Sequence, residues 1–132
     1  MDFSFYMPTR IVCGRDCVVK NAPLFLAFGK RALIVTGKSS AKNGSLADAE
    51  AALAANGQAY TVFSDVPNNP TVESVRAGAA AARSFGADFI IAVGGGSPMD
   101  AAKAIAMLAR QDAEDIFSHP TGKDVLPMVH IP

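Results

Sequence analysis

The chain has 132 residues, half of them hydrophobic and 18% charged, and its 12 basic and 12 acidic side chains give a formal net charge of zero. One core commonly serves about 100–200 residues, so the length fits a single domain, and a chain this apolar is not intrinsically disordered. The balanced charge lacks the basic excess of a nucleic-acid binder, and no apolar run reaches the roughly 20 residues that span a bilayer. The N-terminus, MDFSFYMPTR, has no basic start followed by an apolar stretch. A cytoplasmic protein without nucleic-acid or membrane partners is therefore expected.

Phe3 to Tyr6 and Arg10 to Cys13 read as short strands. The two cysteines, Cys13 and Cys17, are four apart. They have neither the companions of a zinc site nor the C-x-x-C spacing of a redox pair, and Cys13 reads as a small buried hydrophobe. Val18 to Phe28 has helical character that Pro23 interrupts. Ala32 to Thr36 is the first clear buried-strand pattern, ended by Gly37. Ser45 and Gly57 bracket an alanine-rich helix, Leu46 to Asn56, as N-cap and C′ residue. Ala59 to Phe63 is a second strand, followed by a loop, 64–70, with two prolines and two adjacent asparagines.

Thr71 caps a helix from Val72 to Phe85 that stops at Gly86. Phe89 to Val93 is a third strand, apolar on both faces. After a glycine run comes a long helix from Pro98 to about Arg110, and Met128 to Ile131 reads as a closing strand. Continuous apolar strands alternating with helices predict an α/β, Rossmann-like domain of three layers, its sheet mainly parallel and covered on both sides. His119 and His130 are 11 apart and lack the i,i+4 spacing of a helical metal pair, so no metal site is expected from them.

The segment Gly94-Gly95-Gly96-Ser97-Pro98-Met99-Asp100 carries the chemistry. It follows a buried strand and opens a helix. Ser97 reads as N-cap, Pro98 as the first helical residue and Asp100 as the N3 member of a capping box. Glycines admit a ligand close to the backbone, and a helix start offers unpaired N–H groups and a positive dipole end. The combination suits a phosphate or pyrophosphate. It is not the usual dinucleotide fingerprint, because Met99 stands where the third glycine belongs.

Gly37-Lys38-Ser39 resembles the end of a P-loop, but Ala32 stands where the first glycine of that motif is required. The stretch 37–44 follows the first strand, where an acid commonly binds the adenosine ribose of NAD. Here Lys38, Ser39, Ser40 and Lys42 offer cationic and hydroxyl donors instead. Two readings stand side by side: a site for a 2′-phosphate, favouring NADP over NAD, and a solvated polar loop.

The order of these features resembles the N-terminal half of an iron-containing (group III) alcohol dehydrogenase. The likeness rests on PTRIVCG, ALIVTGKSSAKNGSL, PNNPT at 67–71, GGGSPMDAAKAIA at 94–106 and the closing MVHIP, and it covers nearly the whole chain. It implies hydride exchange between NAD(P)(H) and an alcohol or aldehyde. Gly94, Gly95, Gly96 and Ser97 would serve the cofactor pyrophosphate, with Asp100 steadying that loop. Asn69 would lie near the adenosine side, and Gly37 replaces an aspartate common in members that use NAD.

The resemblance also implies that the catalytic Fe2+ or Zn2+ is held by an aspartate and three histidines of a C-terminal helical domain. Residues 1–132 are therefore expected to be the dinucleotide-binding domain of a longer enzyme, inactive alone, with no catalytic or metal-ligating residue of that set. A homodimer through the N-terminal strands, involving Phe3, Phe5 and Tyr6, is a further expectation. The alternative is a non-catalytic nucleotide-binding or self-associating module.

Overall fold

Four of the apolar runs become the strands of one sheet in the computed structural model, which describes residues 1–40, 42–111 and 124–132. In chain order the elements are α1 (Cys17–Lys20), a 3-10 helix (Ala22–Phe28), β1 (Arg31–Thr36), α2 (Ser45–Ala55) and β2 (Ala59–Phe63). They continue with α3 (Val72–Phe85), β3 (Phe89–Val93), α4 (Gly96–Arg110) and β4 (Met128–Ile131). The strand order is β2-β1-β3-β4, and every neighbouring pair is parallel. Leu33 of β1 is in register with Thr61 of β2 and Ile90 of β3.

The period of two along a strand sorts the core into two clusters. Leu33, Val35, Ile90 and Ala92 pack against Val75, Ala79 and Ala82 of α3 and against Ala102, Ile105 and Ala106 of α4. Ala32, Ile34, Phe89, Ile91 and Val93 face the other way, onto Ala49, Ala52 and Leu53 of α2 and onto Ala22 and Phe25 of the 3-10 helix. Every residue of β3 is buried, whereas the edge strand β2 is largely exposed. Burying a leucine, isoleucine or phenylalanine stabilises the fold by about 1.5–3 kcal/mol, so the central pair β1–β3 anchors the domain. The expected three-layer α/β architecture is the one observed.

At the base of the strands, buried Gln58 donates its amide N–H groups to the carbonyls of Phe25 (3.1 Å) and Gly29 (2.6 Å). Asp88 accepts the N–H groups of Lys30 (2.7 Å) and Arg31 (3.0 Å). These bonds fasten the 3-10 helix and the start of β1 to the rest of the domain. Thr71 and Ser74 form the expected N-terminal cap of α3, each side chain accepting the other's backbone N–H. No helix among the described residues is long and apolar enough to cross a membrane.

Several local expectations are corrected. Phe3 to Tyr6 and Arg10 to Cys13 are not strands but exposed chain without regular secondary structure, and Cys13 is exposed rather than buried. A strand needs an edge to pair with, and neither β2 nor β4 takes this segment. Val18 to Phe28 splits in two, with Pro23 in the first turn of the 3-10 helix, where its missing N–H leaves no bond unmade. Ser45 is the first residue of α2 and not its cap. Gly44 holds the N-cap in a left-handed conformation, and Asn43 Oδ1 accepts the Ser45 N–H at 3.1 Å.

Candidate functional site

From β1 the chain crosses by α2 to β2 on one side, then returns by α3 to β3 on the other side of β1. α2 and α3 lie on opposite faces of the sheet. Such a reversal opens a crevice at the carboxyl ends of the central strands, the usual ligand position in open parallel sheets. A cleft of about 560 Å³ lies there. The loop after β1 contributes Gly37, Lys38, Ser39 and Ser40 to its lining. The loop after β2 adds Asp65, Val66, Pro67 and Asn68, and the start of α4 adds Gly95, Gly96, Ser97 and Pro98.

The three glycines do different work. Gly94 has φ +122°, and a Cβ there would lie 2.9 Å from Ser40 Oγ and 3.2 Å from Pro98 Cγ. Backbone conformation and packing therefore demand glycine at 94 with no ligand involved. A Cβ on Gly95 or Gly96 would meet nothing within 4 Å. At those two positions the missing side chains leave space inside the cleft, not a packing contact. The first i→i−4 bond of α4 runs from the Met99 N–H to the Gly95 carbonyl at 3.3 Å, so the N–H groups of Gly96 and Ser97 precede it. An open floor beside a helix start is a fitting cradle for the pyrophosphate of a dinucleotide.

The capping box expected at Ser97, Pro98 and Asp100 does not form. Gly95 occupies the N-cap with no side-chain cap bond, so the helix begins before Ser97. The Ser97 hydroxyl instead donates to the Asn68 carbonyl, joining the start of α4 to the loop after β2. Asp100 is exposed and pairs with Lys103 at 3.1 Å, away from the residues that line the cleft.

The structure thus brings together Gly37, Lys38, Ser39, Ser40, Gly95, Gly96 and Ser97. Gly94 stands behind them as a backbone requirement, while Asn69 and Asp100 are not among the lining residues. Asn68, next to Asn69, is on the cleft. Asp65 is the charged lining residue that the sequence reading missed, with Val66, Pro67, Asn68 and Pro98 beside it on the cleft. Its signal was present: it lies two positions beyond the last residue of β2, and side chains at the carboxyl ends of parallel strands face the ligand crevice.

His130, on β4, has its pKa lowered from the ordinary 6.5 by partial burial and by the charge of Lys103. His119 lies outside the described residues. Among the described residues no group of three or more His, Cys, Asp or Glu side chains could hold a metal ion, so these residues do not fit an iron or zinc site.

Fold and cleft together define an α/β domain with an all-parallel four-stranded sheet and a crevice at the carboxyl ends of its strands. The chain belongs to the iron-containing alcohol dehydrogenase family, whose family model matches residues 8–132. A Bacillus subtilis protein named "Probable NADH-dependent butanol dehydrogenase 2" is 35% identical over 130 residues, covering 96% of this chain and 33% of its own length. Lactaldehyde reductase of Escherichia coli is 36% identical over 108 residues, 78% of this chain and 28% of that protein. The crystal structure of an iron-containing alcohol dehydrogenase from Thermotoga maritima matches with a TM-score of 0.91 at 38% identity, over 99% of this chain and 38% of that one. The chain spans about a third of the length of the curated relatives it matches.

Proposed function

We propose that residues 1–132 form the dinucleotide-binding domain of an alcohol dehydrogenase or aldehyde reductase. The observation that carries this reading is the open space at Gly95 and Gly96 beside the start of α4. In it, the N–H groups of Gly96 and Ser97 bind the cofactor pyrophosphate, and Gly37, Lys38 and Ser39 receive the adenosine ribose and its substituent. A bound nicotinamide dinucleotide supplies the hydride carrier for interconverting an alcohol and an aldehyde. The described residues of this chain hold, orient and space that cofactor, and none of them is assigned to a metal.

NADP is favoured over NAD. Gly37 leaves no carboxylate beside the ribose, and exposed Lys38 offers a cation to a 2′-phosphate. The relative from Bacillus subtilis is named NADH-dependent, and Asp65, which lines the same cleft, is the carboxylate that would oppose this preference. Titrating the folded chain with NADPH and NADH tests both levels. Saturable binding with NADPH tighter is expected. Tighter NADH binding overturns the preference, and no binding of either overturns the site.

A second reading has its own observation. Phe3, Phe5, Tyr6 and Ile11 are 83%, 78%, 85% and 74% exposed, an apolar display that favours association of two copies through the N-terminal segment. Sedimentation over a range of concentrations tests it, and a monomer throughout overturns it.

A further inference from the structure

Ser40 lines the cleft, yet it is only 1% exposed and takes part in three bonds within the protein. Its N–H donates to the Gly37 carbonyl (3.4 Å), which closes the turn after β1. Its carbonyl accepts the Leu46 N–H (3.4 Å) from the first turn of α2. Its hydroxyl donates to the carbonyl of Val93 (3.2 Å), the last residue of β3. The same oxygen is the atom that a Cβ on Gly94 would approach to 2.9 Å.

A serine hydroxyl has one proton to donate. Here that proton is given to Val93, so Ser40 cannot at the same time donate it to a phosphate. We infer that Ser40 is a positioning residue and not a cofactor ligand: it ties the Gly37–Ser39 turn to the glycine loop and sets the spacing between the two halves of the cleft. This rests on the dinucleotide reading above, in which the ribose half belongs to the first loop and the pyrophosphate half to the second. A ligand that spans both loops gains from having their separation fixed beforehand. A ligand that occupies one loop does not.

The test compares Ser40→Ala with the wild-type 132-residue chain in calorimetric titrations with NADP+, adenosine 2′,5′-bisphosphate and inorganic pyrophosphate. NADP+ binding is expected to weaken about tenfold, the order of one lost hydrogen bond, while each fragment stays within about twofold of wild type. Unchanged NADP+ binding overturns the inference. Equal weakening of NADP+ and both fragments also overturns it, since that is the mark of general structural damage.

If Ser40→Ala does not fold, amide exchange on the wild-type chain decides. NADP+ should slow exchange at Ser40 and Leu46 as well as at Gly96 and Ser97, whereas inorganic pyrophosphate should protect Gly96 and Ser97 alone, and NADP+ protection confined to Gly96 and Ser97 overturns the tie. Failure of the folded wild-type chain to bind NADP+ at all overturns the dinucleotide reading and this inference with it.

Discussion

The hydroxyl of Ser97 donates to the backbone carbonyl of Asn68. Two segments 29 residues apart are thereby held edge to edge across the cleft, one from the start of α4 and one from the loop after β2. Because the acceptor is a backbone atom, substitutions at Asn68 leave this bond available, whereas Ser97→Ala removes it. Ser97→Ala is expected to cost about 1 kcal/mol of stability, measured by urea denaturation. It should also raise amide exchange in residues 64–70. Exchange rates there equal to wild type would mean that the loop is held by other contacts.

Gly94 and Gly96 provide a paired test of structure against binding. Gly94→Ala forces a side chain into a positive-φ residue packed on Ser40 and Pro98. It is expected to destabilise the chain by about 1–3 kcal/mol in denaturant unfolding with no ligand present. Gly96→Val enters open space, and valine is no worse than glycine in a helix. Its melting temperature should stay close to wild type while dinucleotide binding falls by at least about tenfold. A Gly96→Val chain that binds normally would show that the open space is not the cofactor's.

Gly37→Asp probes cofactor choice without disturbing the fold. A Cβ at residue 37 would meet only Pro98 Cγ, at an ordinary 3.6 Å. The new carboxylate repels a 2′-phosphate and accepts bonds from a free ribose hydroxyl. The ratio of NADPH to NADH affinity, measured by fluorescence titration, is expected to fall about tenfold. An unchanged ratio would separate Gly37 from the ribose.

Gly78 lies in the middle of α3 where the helix meets α4. A Cβ there would collide with Ile105 Cδ1 and lie 2.8 Å from its Cγ1 and 3.1 Å from Phe63 Cε1. Alanine is intrinsically about 1 kcal/mol better than glycine in a helix, but overpacking a core costs about 1–3 kcal/mol. Ile105 is fully buried and has little room to move. Gly78→Ala is therefore expected to lower stability by about 1 kcal/mol net in urea. A more stable variant would show that the two helices can spread apart.

The lowered pKa of His130 makes a small contribution to pH dependence. Its folded value lies below 6.5 because burial and Lys103 disfavour the charged ring. Between the folded value and 6.5 the unfolded chain binds more protons, so this contribution is present above 6.5 and is lost as pH falls toward the folded value. The urea midpoint of wild type should fall relative to that of His130→Gln as pH is lowered from 7.5 to about 5.5. Parallel curves would remove His130 as the source.

The alternation that sends Leu33 and Val35 to one helical layer and Ala32 and Ile34 to the other was legible in the apolar runs, because strand period and burial are local properties of a segment. So was the helix from Thr71 to Gly86, whose start and stop are written in adjacent residues. The glycine run was readable as a loop between a buried strand and a helix, but the division of labour within it was not. That Gly94 answers to Ser40, 54 positions earlier, while Gly95 and Gly96 face open space, depends on how β1 and β3 are set side by side. The partner of Ser97 was misjudged for the same reason: a hydroxyl near a helix start can cap its own backbone or bond elsewhere, and the choice fell to a loop arriving from β2. Residues 3–13 have strand composition but pair with neither edge of the sheet, and a strand exists only with a neighbour. Asp65 and Asn68 enter the cleft because the carboxyl ends of three parallel strands meet there, a convergence that the packing of α2 and α3 on opposite faces of the sheet creates.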